Sequence, residues 1–189
     1  MGLCTVTIKM PENPSAFFDA SNSALTQWFN AVDLQRSGRI SVPELQTALS
    51  KGGLNYSMRM VASLMRVHDG DGSQTLEFQE FCELHKDLQR MQQIFSENDV
   101  AQTGKLALPQ VITALGRLDF TLDLQPDGAF YKLIKSYDFS PDHLISLDIF
   151  IAMCVQLRNA QKMFNLFDSA RRGHITLDWN QYVWSLAQI

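Results

Sequence analysis

The chain of 189 residues is expected to be an all-α protein of five helix–loop–helix units, with short β pairings between loops and long helices shared between units two and three and between units four and five. Three observations predict this. A twelve-residue phrase recurs at Asp33 (DLQRSGRISVPE), Asp69 (DGDGSQTLEFQE), Asp99 (DVAQTGKLALPQ), Asp138 (DFSPDHLISLDI) and Asp168 (DSARRGHITLDW). Its eighth place is aliphatic each time (Ile40, Leu76, Leu106, Ile145, Ile175), and the residue four before each Asp is apolar (Phe29, Met65, Phe95, Ile134, Phe164). That second spacing carries one buried helical face into the loop. Finally, the phrases start 36, 30, 39 and 30 residues apart, a rhythm that alternates turn-containing connections with uninterrupted ones.

Taken in order, residues 1–21 form a short segment expected to be disordered, and the folded domain spans 22–189 with loops at 33–44, 69–80, 99–110, 138–149 and 168–181. Lys51, Gly52 and Gly53 break the helix that leaves loop one. Gln125, Pro126, Asp127 and Gly128 do the same after loop three. Residues 81–98 and 150–167 contain neither Gly nor Pro and are too short for two helices and a turn. Each is therefore expected to be one helix of about 27 Å, leaving loop two for loop three, or loop four for loop five.

Composition narrows the function. Sixteen Lys plus Arg against 20 Asp plus Glu give a net charge of -4, which leaves no basic surface for nucleic acid. The most apolar stretch, Ile149 to Leu157, is far shorter than the roughly 20 residues that cross a bilayer, so a soluble chain is expected. Cys4, Cys82 and Cys154 are odd in number and widely spaced, which suits a reducing, cytoplasmic setting. His68, His85, His143 and His174 lack zinc-ligand spacing, and no GxSxG, P-loop or HExxH sequence occurs, so no enzyme is expected.

The phrase is that of the EF-hand, a helix, a twelve-residue calcium loop and a helix. A hard divalent ion of this size takes six or seven oxygens, and alternate loop places point them inward. Loop one offers Asp33, Gln35, Ser37, the carbonyl of Arg39, Ser41 through water and Glu44 as the closing acid, with Gly38 at the turn. Its charge is thin, because Gln35 stands where an acid is usual. Loop two offers Asp69, Asp71, Ser73, the carbonyl of Thr75, Glu77 and Glu80, but Gln74 takes the glycine place, where a left-handed backbone costs roughly 1–2 kcal/mol. The four acids are expected to outweigh that strain, so Ca2+ is expected in loops one and two. Loop three keeps Asp99, Thr103 and Gly104 but has Ala101 and Gln110 at ligand places, and is expected to be weak or empty. Loop four, with His143 at the turn and Ile149 at the closing place, is expected to be structural. Loop five has Ala170 and Arg172 at ligand places and is expected to be empty.

In the fifth copy the interval from the eighth place to the next apolar anchor, Ile175 to Tyr182, is two residues longer than in the others, which puts Trp179 or Gln181 at the closing place. An expanded, unpaired fifth hand reached by a shared helix resembles the penta-EF-hand family over about residues 22–189. Asp33 to Ser50, with its RSG, IS and ELQ runs, is most similar to the first hand of that family's apoptosis-linked calcium-sensor type. The resemblance implies pairing of hand five with hand five of a second chain, giving a homodimer or a heterodimer with another penta-EF-hand chain. It also implies calcium-dependent capture of Pro-rich protein segments, often at membranes. Apart from the resemblance, the tail with Ile175, Leu177, Trp179, Tyr182 and Trp184 is too apolar for a solvated end, which favours an interface. The family uses its first and third hands in the apoptosis-linked type, whereas here the second hand holds the full acid set.

The expected function is that of a calcium sensor and adaptor that exposes an apolar surface, with Trp28, Phe29, Met58, Met60 and Met65 as candidates for it or for the core. Two alternatives stand beside it: a regulatory subunit of a calpain-like cysteine protease, and a calcium-independent scaffold if Gln35 and Gln74 disable both loops. The start, MGLCTV, reads as an ordinary disordered segment, with acylation of Gly2 and Cys4 as the alternative route to peripheral membrane association.

Overall fold

A computed structural model describes residues 22–120, 128–137 and 141–188. The expectations for residues 1–21, including Gly2 and Cys4, for the 125–127 turn, and for Asp138 and Ser140 lie outside the described residues. The described residues divide into two compact units, with the boundary between Lys86 and Asp87. Eight helices are described: α1 (Asn22–Val32), α2 (Val42–Lys51), α3 (Met58–His68), α4 (Phe78–Asn98), α5 (Leu108–Arg117), α6 (Ala129–Ser136), α7 (Leu147–Phe167) and α8 (Trp179–Gln188). Two short strands, β1 (Lys105–Leu106) and β2 (Ile145–Ser146), pair antiparallel. The all-α class with loop-to-loop β pairing is therefore as the sequence predicts.

Local chemistry sets the helix ends. Each helix that enters a described loop donates one last backbone bond from the loop's first Asp to the apolar residue four before it: Asp33 to Phe29 at 2.9 Å, Asp69 to Met65 at 2.8 Å, Asp99 to Phe95 at 3.0 Å and Asp168 to Phe164 at 2.8 Å. In hands one to four the leaving helices start inside the loops, because the ninth place is already the N-cap. The shared helices α4 and α7 accordingly run 21 residues each, three longer at the start than the segments between loops. Ser57 caps α3 by accepting from the Met60 N–H at 3.2 Å.

In the first unit Ile40 and Leu76 exchange two backbone bonds of 2.9 Å, which ties loop one to loop two. Both are fully buried, as are Leu45, Leu49, Val61, Leu64, Phe81 and Leu84 of the same unit. Phe29 meets Phe78 and Phe81 edge-on, at ring separations of 5.4 and 5.7 Å, and Trp28 packs against buried His85 at 5.8 Å. Trp28, Phe29 and Met65 are thus core residues, and Met58 is the exposed one of the candidate surface residues.

In the second unit Leu106 pairs with Ile145 and Lys105 with Ser146. Leu106, Val111, Leu115, Phe150, Ile151, Met153 and Cys154 form its buried centre. Burial pushes the Cys154 thiol strongly up, so it stays protonated and packs as a small apolar group. Arg158 of α7 meets Asp87 of α4 at 2.6 Å in a largely buried pair.

Candidate metal centre

The turn that presents the ligands is built by the first Asp of each loop. Asp33 accepts the N–H groups of Ser37 and Gly38 at 2.9 and 2.7 Å. Asp69 accepts those of Ser73 and Gln74 at 3.0 and 2.9 Å. Asp99 accepts from Thr103 and Gly104, and Asp168 from Arg172 and Gly173. Burial raises the pKa of Asp33 and of Asp99, but the hydrogen bonds together outweigh it and hold both carboxyls below the usual range. An Asp at the first place is therefore needed by the turn itself, and loop five keeps it although Arg172 occupies a ligand place.

All five loops have a left-handed residue at the sixth place: Gly38 (φ 76°), Gln74 (φ 61°), Gly104 (φ 72°), His143 (φ 57°) and Gly173 (φ 77°). Four have a second one at the fourth place: Arg36 (φ 52°), Gly72 (φ 72°), Gln102 (φ 53°) and Arg171 (φ 52°). Loop two has simply exchanged the two positions. Its Gly72 relieves the fourth place while Gln74 takes the strain at the sixth, so loops one, two, three and five each carry one strained side-chain-bearing residue. The handicap that the sequence assigns to Gln74 is real for that residue, but it does not set loop two apart.

The closing side chain follows the same pattern in three loops. Glu44 accepts the N–H of Leu34 at 3.1 Å and of Ser41 at 2.9 Å, and the Ser41 hydroxyl donates to it at 2.5 Å. Glu80 accepts from Gly70 at 2.8 Å and from Glu77 at 2.9 Å. Gln110 accepts the Ala107 N–H at 2.8 Å but turns its amide nitrogen to donate to the Asn98 carbonyl, also at 2.8 Å. This is one half of a capping box, the third helical side chain reaching back to the N-cap N–H, at the start of each of these three leaving helices. In hand five Gln181 makes the same reach, accepting from Asp178 at 3.0 Å. The expansion of two residues therefore ends with Gln181, and not Trp179, in the closing role; Trp179 is 74 % exposed.

The donor sets differ sharply. In loop two Asp69, Asp71 and Glu80 bring carboxylate oxygens within 4.8 Å of one another, and no other such group of acidic, His or Cys side chains occurs among the described residues. Ser73, through its hydroxyl and its N–H, holds the Asp71 pKa down to about 2, with the Arg39 guanidinium adding to the effect. The Ser73 hydroxyl lies 3.2 Å from the Thr75 carbonyl, and Glu77 is exposed nearby on the loop. Hard, anionic oxygens in this number fit a calcium ion and fit a soft metal poorly. In loop one the Ser37 hydroxyl touches both Asp33, at 3.1 Å, and the Arg39 carbonyl, at 2.8 Å, while Gln35 is exposed. Loop one thus assembles oxygen donors around two acids. Loop three has Asp99 as its one acid at a ligand place. In loop four Asp142 is bound by Lys105 at 2.5 Å.

Hand five stands apart from this pattern. Ile40, Leu76, Leu106 and Ile145 are at most 2 % exposed, but Ile175, at the same place, is half-buried and has no bridge partner among the described residues. Leu177 is half-buried, and Tyr182 (47 %) and Trp184 (48 %) join Trp179 among the exposed side chains of α8, Trp184 with one edge against Phe167. Leu166, Phe167, Asn180, Gln181 and Trp184 line an open groove of about 450 Å³.

Comparison with known proteins agrees with the repeat. No protein-family model matches the chain. It is 32% identical to sorcin of Schistosoma japonicum over 164 residues, which covers 86% of this chain and 94% of that protein. It is 28% identical over 172 residues to the Arabidopsis thaliana "Probable calcium-binding protein CML50", covering 90% of this chain and 48% of the relative, so the chain spans about half that protein's length. Among solved structures, a homolog of programmed cell death 6 protein from Leishmania major Friedlin superposes with a TM-score of 0.63 at 27% identity, over 94% of this chain and 97% of the other. With five hands, two loop-to-loop pairings and an expanded fifth hand left over, the chain belongs to the penta-EF-hand family of calcium-binding proteins.

Proposed function

We propose that the chain is a calcium sensor and adaptor that binds Ca2+ in loops one and two and joins a second penta-EF-hand chain through hand five. The observation that carries this reading is the convergence of Asp69, Asp71 and Glu80 in a loop already tied to loop one through Ile40 and Leu76. Loop two would hold the ion with Asp69, Asp71, Ser73, the Thr75 carbonyl and Glu80; loop one with Asp33, Gln35, Ser37, the Arg39 carbonyl and Glu44. The bound ion supplies positive charge that neutralises the clustered acids. Asp69 follows the last turn of α3 and Glu80 lies in the first turn of α4, so engaging both together links the two helices of hand two. Glu80 spends both carboxylate oxygens on the Gly70 and Glu77 N–H groups, and a change in those bonds is the route from the loop to α4. Loops three, four and five serve as structural turns in this reading.

The family commonly dimerises, and the exposed Trp179, Tyr182 and Trp184 beside half-buried Ile175 and Leu177 supply a surface for it. The same surface would serve a homodimer or a calpain-like partner, and Pro-rich segments remain the proposed calcium-dependent cargo. No described helix is long and apolar enough to cross a membrane, so membrane recruitment in this reading is peripheral.

Calcium titration of the wild type, Glu44→Gln and Glu80→Gln, followed by calorimetry and by hydrophobic-dye fluorescence, tests the sensor reading. Each variant should lose the uptake of its own loop, and the dye response should fade with Glu80→Gln. Equal isotherms for all three would sink it. For the dimer, sedimentation of a Trp179→Ser, Trp184→Ser double variant should show a shift toward the monomer.

A further inference from the structure

The guanidinium of Arg39 crosses from loop one onto the acids of loop two. Its Nη1 donates to Asp71 Oδ2 at 3.3 Å and to Thr75 Oγ1 at 3.2 Å. Its Nη2 donates to Asp71 Oδ2 at 3.4 Å and to Glu77 Oε1. The other Asp71 oxygen accepts the Ser73 N–H at 2.9 Å. Both oxygens of a ligand-place acid are therefore engaged, one of them by a fixed positive charge. The residue also belongs to loop one through its backbone, where its carbonyl accepts the Ser37 hydroxyl.

We infer that Arg39 is a tethered competitor for the cation of loop two, a residue that lowers that loop's calcium affinity from within its neighbour. The inference rests on the reading of loop two as an ion site. Two carboxylates at ligand places, Asp71 and Glu77, are partly neutralised by the guanidinium, so an incoming divalent cation meets less negative charge than four acids would present. The same arrangement recurs in the second unit, where Lys105, at the same seventh place of loop three, binds Asp142 of loop four. The pair in the first unit is open to solvent, with side-chain exposures of 37% for Arg39, 46% for Asp71 and 52% for Glu77, so the competition is adjustable by salt.

The test uses the full chain with loop one silenced by Glu44→Gln, so that calorimetric uptake reports loop two. Adding Arg39→Gln should tighten calcium binding about threefold to tenfold at low ionic strength. The gain should shrink as salt is raised, and Arg39→Lys should give less of it. If loop two still binds but its affinity is unchanged or weaker in Arg39→Gln, Arg39 is only a latch between the loops and the inference is overturned. If Glu44→Gln takes up no calcium that Glu80→Gln then removes, the ion-site reading itself fails, and the inference with it. Far-UV circular dichroism of each variant checks that the helices are retained.

Discussion

Loops two and three use one backbone and two chemistries. Each opens with an Asp that accepts N–H groups four and five residues on, each has left-handed residues at its fourth and sixth places, and each ends in a side chain that reaches back to the N-cap. They part at three side chains: Asp71, Glu77 and Glu80 in one, Ala101, Ala107 and Gln110 in the other. Gln110 closes its loop as well as Glu80 does, by donating to the Asn98 carbonyl where Glu80 accepts from Gly70. A turn of this shape is thus stable without ligand chemistry, and the shape alone says nothing of an ion. The charge of the donor set is what separates a metal loop from a structural one.

That contrast can be broken in order of effect. Glu80→Gln should turn loop two into a loop-three-like turn, weakening its calcium affinity by about tenfold or more while leaving helix content unchanged, as calorimetry and circular dichroism would show. The reverse change, Ala101→Asp with Gln110→Glu, should raise calcium uptake at loop three above that of the wild-type loop, to a level still weaker than that of loop two. A smaller effect sits in the backbone. Gly72→Ala should cost about 1–2 kcal/mol and Gln74→Gly should gain about 1 kcal/mol in urea unfolding of the ion-free chain, because the first adds a strained left-handed residue and the second removes one. Equal stabilities would mean that the exchange of glycine between the two places carries no strain.

Much of this was legible from local pattern. Apolar residues four before each Asp, aliphatic residues at the eighth place and breakers in alternate connections are short-range features, and short-range hydrogen bonds obey them. Gln74 shows where such reading stops. The sixth place was known to want glycine, but the fourth place had the same demand, and the exchange of Arg36, Gln102 and Arg171 for Gly72 at that position was the available sign of it. Trp28 and Met65 were harder, since an apolar residue on a helix face is equally consistent with core and with a docking surface until its neighbours are in place. The approach of Arg39 to Asp71, 32 residues away, left no sign in the spacing.

By itself the sequence determined the five repeats, the shared helices, the donor set of each loop and the odd hand, because each depends on residues within one turn or one loop of each other. Only the tertiary structure decided which helix faces are buried, that the aromatic side chains of α8 stay exposed and that Arg39 reaches the acids of loop two. Those features depend on how separate segments meet, and a long side chain can bridge segments in ways that no periodicity records.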